Sequence, residues 1–301
     1  MKKSLRAKGV IAVVKLAGLL KLEINDANIE QKRKRFKKLE KYFHVPRDVT
    51  IKPVETYDFK AEWITAPGSR SSKILLYIHG GGFVFNSTKV HRSLVVGIAR
   101  AAKLTALSLD YSLAPEHPFP KAVDETVAAY EWLLAQGYEP NDIAIAGDSA
   151  GGTLVLSLLQ RLKLDKRPFP ACSIVMSPAT DAMFRSKSME SNRNKDFYIK
   201  PENLEYFVDV HFGKTSHNDP VASPLYGDYD GLPPLLIHVG KDEVMHDDSS
   251  RLAEKAKKAG AEVELYKAEG LFHVWHVFNR YMPEAKQAVN DIARFINKYV
   301  Q

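Results

Sequence analysis

"IAIAGDSAGGTLVLSLL", residues 143–159, is the stretch on which the reading of this chain turns. Its first four residues, 143–146, are apolar and strand-like, and a helical pattern runs over 150–163. Between them Gly147-Asp148-Ser149-Ala150-Gly151 fits the spacing G-x-S-x-G. At the tip of a sharp strand-to-helix turn, a serine is held in a strained backbone conformation with its hydroxyl exposed. The flanking glycines are needed because side chains there would collide with the packed strand and helix. The helix N-terminus also directs amide dipoles at developing negative charge. The plainer alternative is a glycine-rich helix start with an N-capping serine.

Outward from that turn, apolar runs alternate with helical patterns. The runs are 74–78, 104–109, 143–146, 171–177, 235–239 and 262–267, with weaker strand-like alternation over 50–65. Helical patterns lie near 90–102, 121–136, 150–163, 248–259 and 283–299. Continuous apolar strands alternating with helices predict an α/β fold, a mostly parallel central sheet with helices on both faces. Residues 182–213 break the rhythm with a polar and aromatic insertion, and residues 1–44 read as helices. The expected division is N-terminal helices over 1–45, a catalytic core over 46–181 and 214–301, and the insertion over 182–213.

A second stretch, "LLYIHGGGFVF" at 75–85, places Gly80, Gly81 and Gly82 directly after a buried strand. Glycine there costs conformational entropy and packs nothing, so bare backbone is needed for another reason. A serine attacking an ester creates a tetrahedral oxyanion that requires preorganised N–H donors. The amides of Gly81 and Gly82, with that of Ala150 after the serine, are the expected donors. His79 is expected to fix this loop by hydrogen bonding.

A serine hydroxyl also needs a base, and the base an orienting carboxylate. In the chain order Ser, acid, His, each follows a strand. The run 235–239 is followed by "GKDEVMHDD", and the run 262–267 by "AEGLFHVWH". Asp242 is the expected acid, ahead of Glu243, Asp247 and Asp248, the last two of which cap or begin the next helix. His273 is the expected base, ahead of His276, which would lie one turn deeper. His238 reads as structural. Apolar walls for a substrate are expected from Phe83, Phe85, Tyr198, Phe212 and Trp275, with Phe197 a further candidate.

The chain has 301 residues, 45% of them hydrophobic, and a net charge of +7 concentrated in "MKKSLRAK" and "QKRKRFKKLEK". The second basic stretch has helical spacing, with Ile29, Phe36 and Leu39 on one face, and reads as a solvated helix. No zinc spacing, RNP-like pattern or helix-turn-helix signal points to nucleic acid. The N-terminus mimics a signal peptide, but Lys15 interrupts the apolar stretch and no clear cleavage site follows, so an amphipathic helix is expected. No run is long and apolar enough to span a bilayer. The single cysteine, Cys172, sits in an apolar run and reads as a core residue; with no internal disulfide possible, a cytoplasmic location is expected.

The chain resembles the bacterial hormone-sensitive-lipase-like esterases, a family of the α/β-hydrolase fold. The resemblance rests on "HGGG" (79–82), "DYSLAPEHPFP" (110–120), "GDSAGG" (147–152), "DPVASPL" (219–225), "LPPLLIHVGKDEVMHDD" (232–248) and "FHVWH" (272–276), and it covers about 70–301. It implies a small helical cap made from the N-terminal helices and the 182–213 insertion. It also implies hydrolysis of short- to medium-chain acyl esters, no metal or other cofactor, and homodimers along a sheet edge. The chain departs from the family at Ser112, where relatives usually carry arginine, which removes an ion pair and leaves Glu116 to find another partner. It departs again at Ala179, where relatives often carry tryptophan. Two other readings remain: a small-molecule receptor on the same fold, which would resist serine-directed organophosphonates, and a peripheral membrane lipase, whose activity would rise on micelles and fall with salt.

Overall fold

A computed structural model describes residues 3–17, 24, 25, 27–38, 40–213, 215 and 217–301. Eight strands form one sheet: β1 (Thr50–Glu55), β2 (Lys60–Thr65), β3 (Arg70–Ile78), β4 (Leu104–Leu109), β5 (Ile143–Asp148), β6 (Cys172–Met176), β7 (Leu235–Gly240) and β8 (Val263–Ala268). Their order is β1-β2-β4-β3-β5-β6-β7-β8. β2 pairs antiparallel with β1 and β4, and all later pairs are parallel.

Five helices cover the sheet: α3 (Thr88–Ala102), α4 (Lys121–Ala135), α5 (Ala150–Leu164), α8 (His246–Lys258) and α9 (Pro283–Tyr299). Successive side chains of a strand point to opposite faces, and β3 shows the result. Leu75 and Tyr77 pack with Leu94, Val95 and Ile98 of α3 and with Ile292 and Phe295 of α9. Ile74, Leu76 and Ile78 pack with Tyr130 and Leu133 of α4 and with Leu154 and Leu158 of α5. A strand buried on both faces has no polar side, which is why these strands are continuous apolar runs rather than alternating ones. β3 begins four residues before its apolar run, because Arg70–Lys73 lie where the strand emerges into solvent.

Four further helices lie apart from this sandwich: α1 (Leu5–Ala17), α2 (Ile29–Lys37), α6 (Ser188–Ser191) and α7 (Pro201–Phe212). Ile29 and Phe36 of α2 share an apolar cluster with Met189 of α6, Leu204 and Phe207 of α7, and Phe85 and Met245. The helix face expected at Ile29, Phe36 and Leu39 is buried at its first two members; Leu39 lies outside the described residues. α1 packs through Ala7 and Ile11 against Phe272, Trp275 and Ala285. Phe85, Met245 and Phe272 follow β3, β7 and β8, so these four helices sit over the carboxyl ends of the strands, the end at which open α/β sheets bind ligands. Cys172 is buried in the core, where burial pushes its thiol up to about 12. Among the described residues no helix is long and apolar enough to cross a membrane.

Candidate active site

β5 ends at Asp148 and α5 begins at Ala150, so Ser149 alone makes the turn, at φ 50° and ψ −122°. That left-handed backbone is costly for a residue with a Cβ. It is held by a bond from the Ser149 amide to the Met176 carbonyl (2.8 Å) and by Thr153 N–H donating to the Ser149 carbonyl (3.1 Å). Gly151 has to be glycine because a Cβ there would press into the carbonyls of Ile78 and His79. Asp148 is buried beneath, accepting from the Tyr77 hydroxyl at 2.6 Å and lying 3.3 Å from His91 Nε2. Burial pushes its carboxyl up, but His91, Tyr77 and His79 together hold it below the usual range.

The glycine loop after β3 shows what its bare backbone is for. Gly81 takes φ +133°, and a Cβ there would meet the Phe85 carbonyl; one on Gly82, at φ +61°, would sit 2.6 Å from the Phe207 ring. Three of the loop's carbonyls are occupied. Gly81 accepts from Phe85 N–H (2.9 Å) and Phe83 from Ala114 N–H (2.9 Å), while Gly80 accepts from Asn86 Nδ2 (3.1 Å). The amides of Gly81 and Gly82 donate to no protein group among the described residues. Ala150 is the first residue of α5, where a helix leaves its amides unpaired. All three residues line the same cavity as Ser149. His79 is fully buried, with Nδ1 2.9 Å from the Gly80 carbonyl and its ring stacked on Tyr111 at 4.4 Å. Burial and neighbouring His91 lower its pKa to about 4, so it is neutral near pH 7.

His273 lines this cavity too, and its carboxylate partner is Glu243 rather than Asp242: Nδ1 lies 2.8 Å from Glu243 Oε2. The other oxygen of Glu243 accepts from Gly240 N–H (2.5 Å) and from the Ser177 hydroxyl (2.9 Å). Asp242 instead sits in the turn after β7, half-buried and off the cavity. The turn folds back so that Glu243 reaches the Gly240 amide, which aims the second acidic residue inward and the first outward. Burial disfavours the His273 imidazolium more than any other single influence. The bond and charge of Glu243, with the charges of Asp196 and Asp148, outweigh it, and the pKa stands above 6.5.

His276 and His238 are buried against each other, Nδ1 of His238 lying 3.0 Å from Nε2 of His276. Burial drives the pKa of both down, His238 to about 3, which keeps them neutral. Asp247 and Asp248 lie in the first turn of α8, and Asp248 accepts from the amides of Thr180 (2.9 Å) and Asp181 (3.2 Å).

The turn that carries Glu243 is gripped from the 182–213 segment. Asn192 Nδ2 donates to the carbonyls of Lys241 (3.0 Å) and Glu243 (2.9 Å). Asp196 accepts from Val244 N–H (3.0 Å) through one oxygen and from Tyr198 and Ile199 N–H through the other. The Ser188 hydroxyl donates to the Val244 carbonyl (2.6 Å). Ser177 ties Glu243 to the loop that carries His273, since it also accepts from Val274 N–H at 3.3 Å. None of Ser177, Asn192, Asp196 and Ser188 stands out in the sequence, because each acts across 48 to 97 residues of chain.

The cavity measures about 840 Å³, and Phe83, Phe85, Tyr198 and Phe212 line it. Trp275 does not. It is fully buried behind His273, its ring 4.0 Å from that of His276, within the cluster that receives α1. Phe197, Phe207 and Phe184 complete much of the aromatic wall.

A family model described as the alpha/beta hydrolase fold matches residues 75–277. An esterase of Acinetobacter venetianus is 39% identical over 248 residues, covering 82% of each chain. An acetyl-hydrolase of Streptomyces hygroscopicus is 38% identical, covering 78% of this chain and 79% of its own. Among solved structures, an esterase from the bacterial hormone-sensitive lipase family superposes with a TM-score of 0.94 at 38% identity over the whole of both chains. The chain belongs to the hormone-sensitive-lipase-like esterases. It is a carboxylesterase. In this esterase both Ser112 and Glu116, the residues at which the resemblance implied a departure, have partners of their own. Ser112 donates to Glu125 through both its amide (2.6 Å) and its hydroxyl (2.7 Å). Glu116 takes a two-pronged bond from Arg33 of α2 at 2.6 and 2.9 Å.

Proposed function

We propose that this carboxylesterase works through Ser149, His273 and Glu243 and an acyl-enzyme intermediate. Ser149 Oγ attacks the ester carbonyl while His273 takes its proton, Glu243 orienting the imidazole and stabilising its charged form. The oxyanion rests on the amides of Gly81, Gly82 and Ala150. His273 then gives the proton to the leaving alcohol, and afterwards activates the water that releases the acid. The observation carrying this reading is a left-handed serine opening on the same cavity as a buried histidine bonded to a carboxylate at 2.8 Å.

The acyl group is of short to medium length, held by Phe83 and Phe212 within the enclosed part of the cavity. The helices α1, α2, α6 and α7 serve as its cap. β8 is an edge of the sheet and suits a homodimer of the kind the family forms, and the absence of any disulfide suits the cytoplasm. The test is hydrolysis of p-nitrophenyl esters from acetyl to palmitoyl. A maximum at short to medium chains is expected, with Ser149→Ala losing roughly 10⁶-fold in kcat. Turnover that survives this substitution refutes the assignment.

A further inference from the structure

The cavity over Ser149 is lined mostly by apolar residues, and its cationic side chains, Arg35, Lys38 and Lys41, all come from α2 and the turn after it. Residues 29–42 hold seven lysines and arginines against two glutamates. This wall is fixed in place. Phe36 stacks on Phe85 at 5.0 Å, and Arg33 donates to the Val84 carbonyl at 2.9 Å. The Tyr281 hydroxyl donates to the Tyr42 carbonyl at 3.0 Å, and Arg280 to that of His44 at 2.7 Å.

The acids nearest Lys38 and Lys41 are engaged by other groups. Glu30 and Glu116 are both engaged by Arg33, and Glu40 faces Ser87 Oγ at 3.4 Å. Lys38 and Lys41 have no carboxylate in ion-pair reach among the described residues, and Lys41 rests over the Tyr42 ring at 5.0 Å. Among the described residues that line the cavity, the one carboxylate is Asp148, buried on the floor against Tyr77 and His91. Cations held together beside an apolar channel focus a positive field into it, and a neutral ester leaves their mutual repulsion unrelieved.

We propose that the enzyme selects esters bearing a terminal anion, a carboxylate or phosphate, on an apolar spacer, and that Lys38 and Lys41 bind that anion while Ser149 holds the ester. The spacer lies along Phe36, Phe43 and Val14, which line the channel beside them. The inference rests on Ser149 being the nucleophile of the site.

Two substrate pairs test it: mono-p-nitrophenyl suberate against its methyl ester, and 6-butyryloxyhexanoate against its methyl ester. They place the charge on the acyl and on the alcohol side. Wild type should favour the charged member of at least one pair by about tenfold in kcat/KM at low ionic strength. The preference should collapse in about 0.5 M NaCl. Lys38→Glu/Lys41→Glu should reverse it, and Lys38→Gln/Lys41→Gln should abolish it, with the neutral esters within about twofold of wild type. Equal or inverted preference in both pairs overturns the proposal, as does a loss shared by charged and neutral esters. So does a charge effect confined to esters presented in anionic vesicles, which would assign the lysines to a membrane surface. Hydrolysis of every ester undiminished in Ser149→Ala would remove the underlying reading instead.

Discussion

Asp242 and Glu243 are neighbours after the same strand, and only the path of the turn separates their roles. Glu243 is buried, with both oxygens engaged by Gly240, Ser177 and His273. Asp242→Asn should therefore leave kcat/KM within about twofold, as for a half-exposed residue outside such networks. Glu243→Gln should lower it by roughly 10³–10⁴-fold, because the amide no longer holds the imidazole in its working tautomer. The pH profile separates the two further. The proposed mechanism needs neutral His273, so the rate should fall as pH drops through a pKa that stands above 6.5. Without the Glu243 charge, burial prevails, the pKa falls, and the acid limb moves to lower pH. An acid limb that moves up in Glu243→Gln would contradict this geometry. That Ser149 and His273 open on one cavity was legible from spacing, whereas which carboxylate meets His273 was not. Distance from a strand end counts residues, but a turn of four residues can aim either of two adjacent carboxylates inward.

At the scale of elements, the segment between β6 and β7 does more than roof the cavity. Asn192, Ser188 and Asp196 satisfy the polar backbone of the turn that carries Glu243. Asp196 also contributes its charge to His273, and burial followed by the charge of Glu243 raises its own pKa above the usual carboxylate range. Asp196→Asn should lower kcat by about tenfold with KM little changed, since one hydrogen bond to the acid's turn is lost, a change of roughly 1.4 kcal/mol. It should also shift the acid limb downward, which a purely structural defect would not do. Steady-state kinetics across pH 5–8 check both. The strands and helices of the core were readable to within a few residues because burial on both faces leaves an uninterrupted apolar signature. The contacts of this segment were not, because polar residues in an irregular stretch carry no period.

For the whole molecule, several histidines are buried and kept neutral. Burial lowers the pKa of His211 to about 3 and of His238 to about 3, and burial with neighbouring charge lowers that of His79 to about 4 and that of His276 well below 6.5. A histidine whose pKa is lower folded than unfolded binds its proton more readily in the unfolded chain. Its stabilising contribution is complete above the unfolded value near 6.5 and is lost as pH falls below it. Each such group costs up to about 1.4 kcal/mol per pH unit below that point. His273 runs the other way, since its raised pKa favours the folded state at low pH. Four groups oppose one, so the melting temperature should drop steeply between pH 6.5 and 5. His211, both ring nitrogens unpartnered and its ring flat on Phe83 at 3.8 Å, is the clearest contributor. His211→Phe should make that decline shallower, as followed by calorimetry; an unchanged slope would remove His211 from the account.

What the sequence by itself determined is local or periodic. A serine between glycines at a strand-to-helix turn, three glycines after a buried strand, a histidine after the last strand and the alternation of apolar runs with helices are dictated by backbone sterics and by burial. These act over a few residues and leave their mark there. Tertiary structure alone decided which of two adjacent carboxylates meets His273, that Trp275 lies behind the site rather than in its wall, and that Ser177, Asn192 and Asp196 brace it. It also decided that a basic helix near the N-terminus becomes one wall of the cavity. Hydrogen bonds and charges act through space at a few ångströms, and residues that meet at that range here stand tens to hundreds of positions apart in the chain.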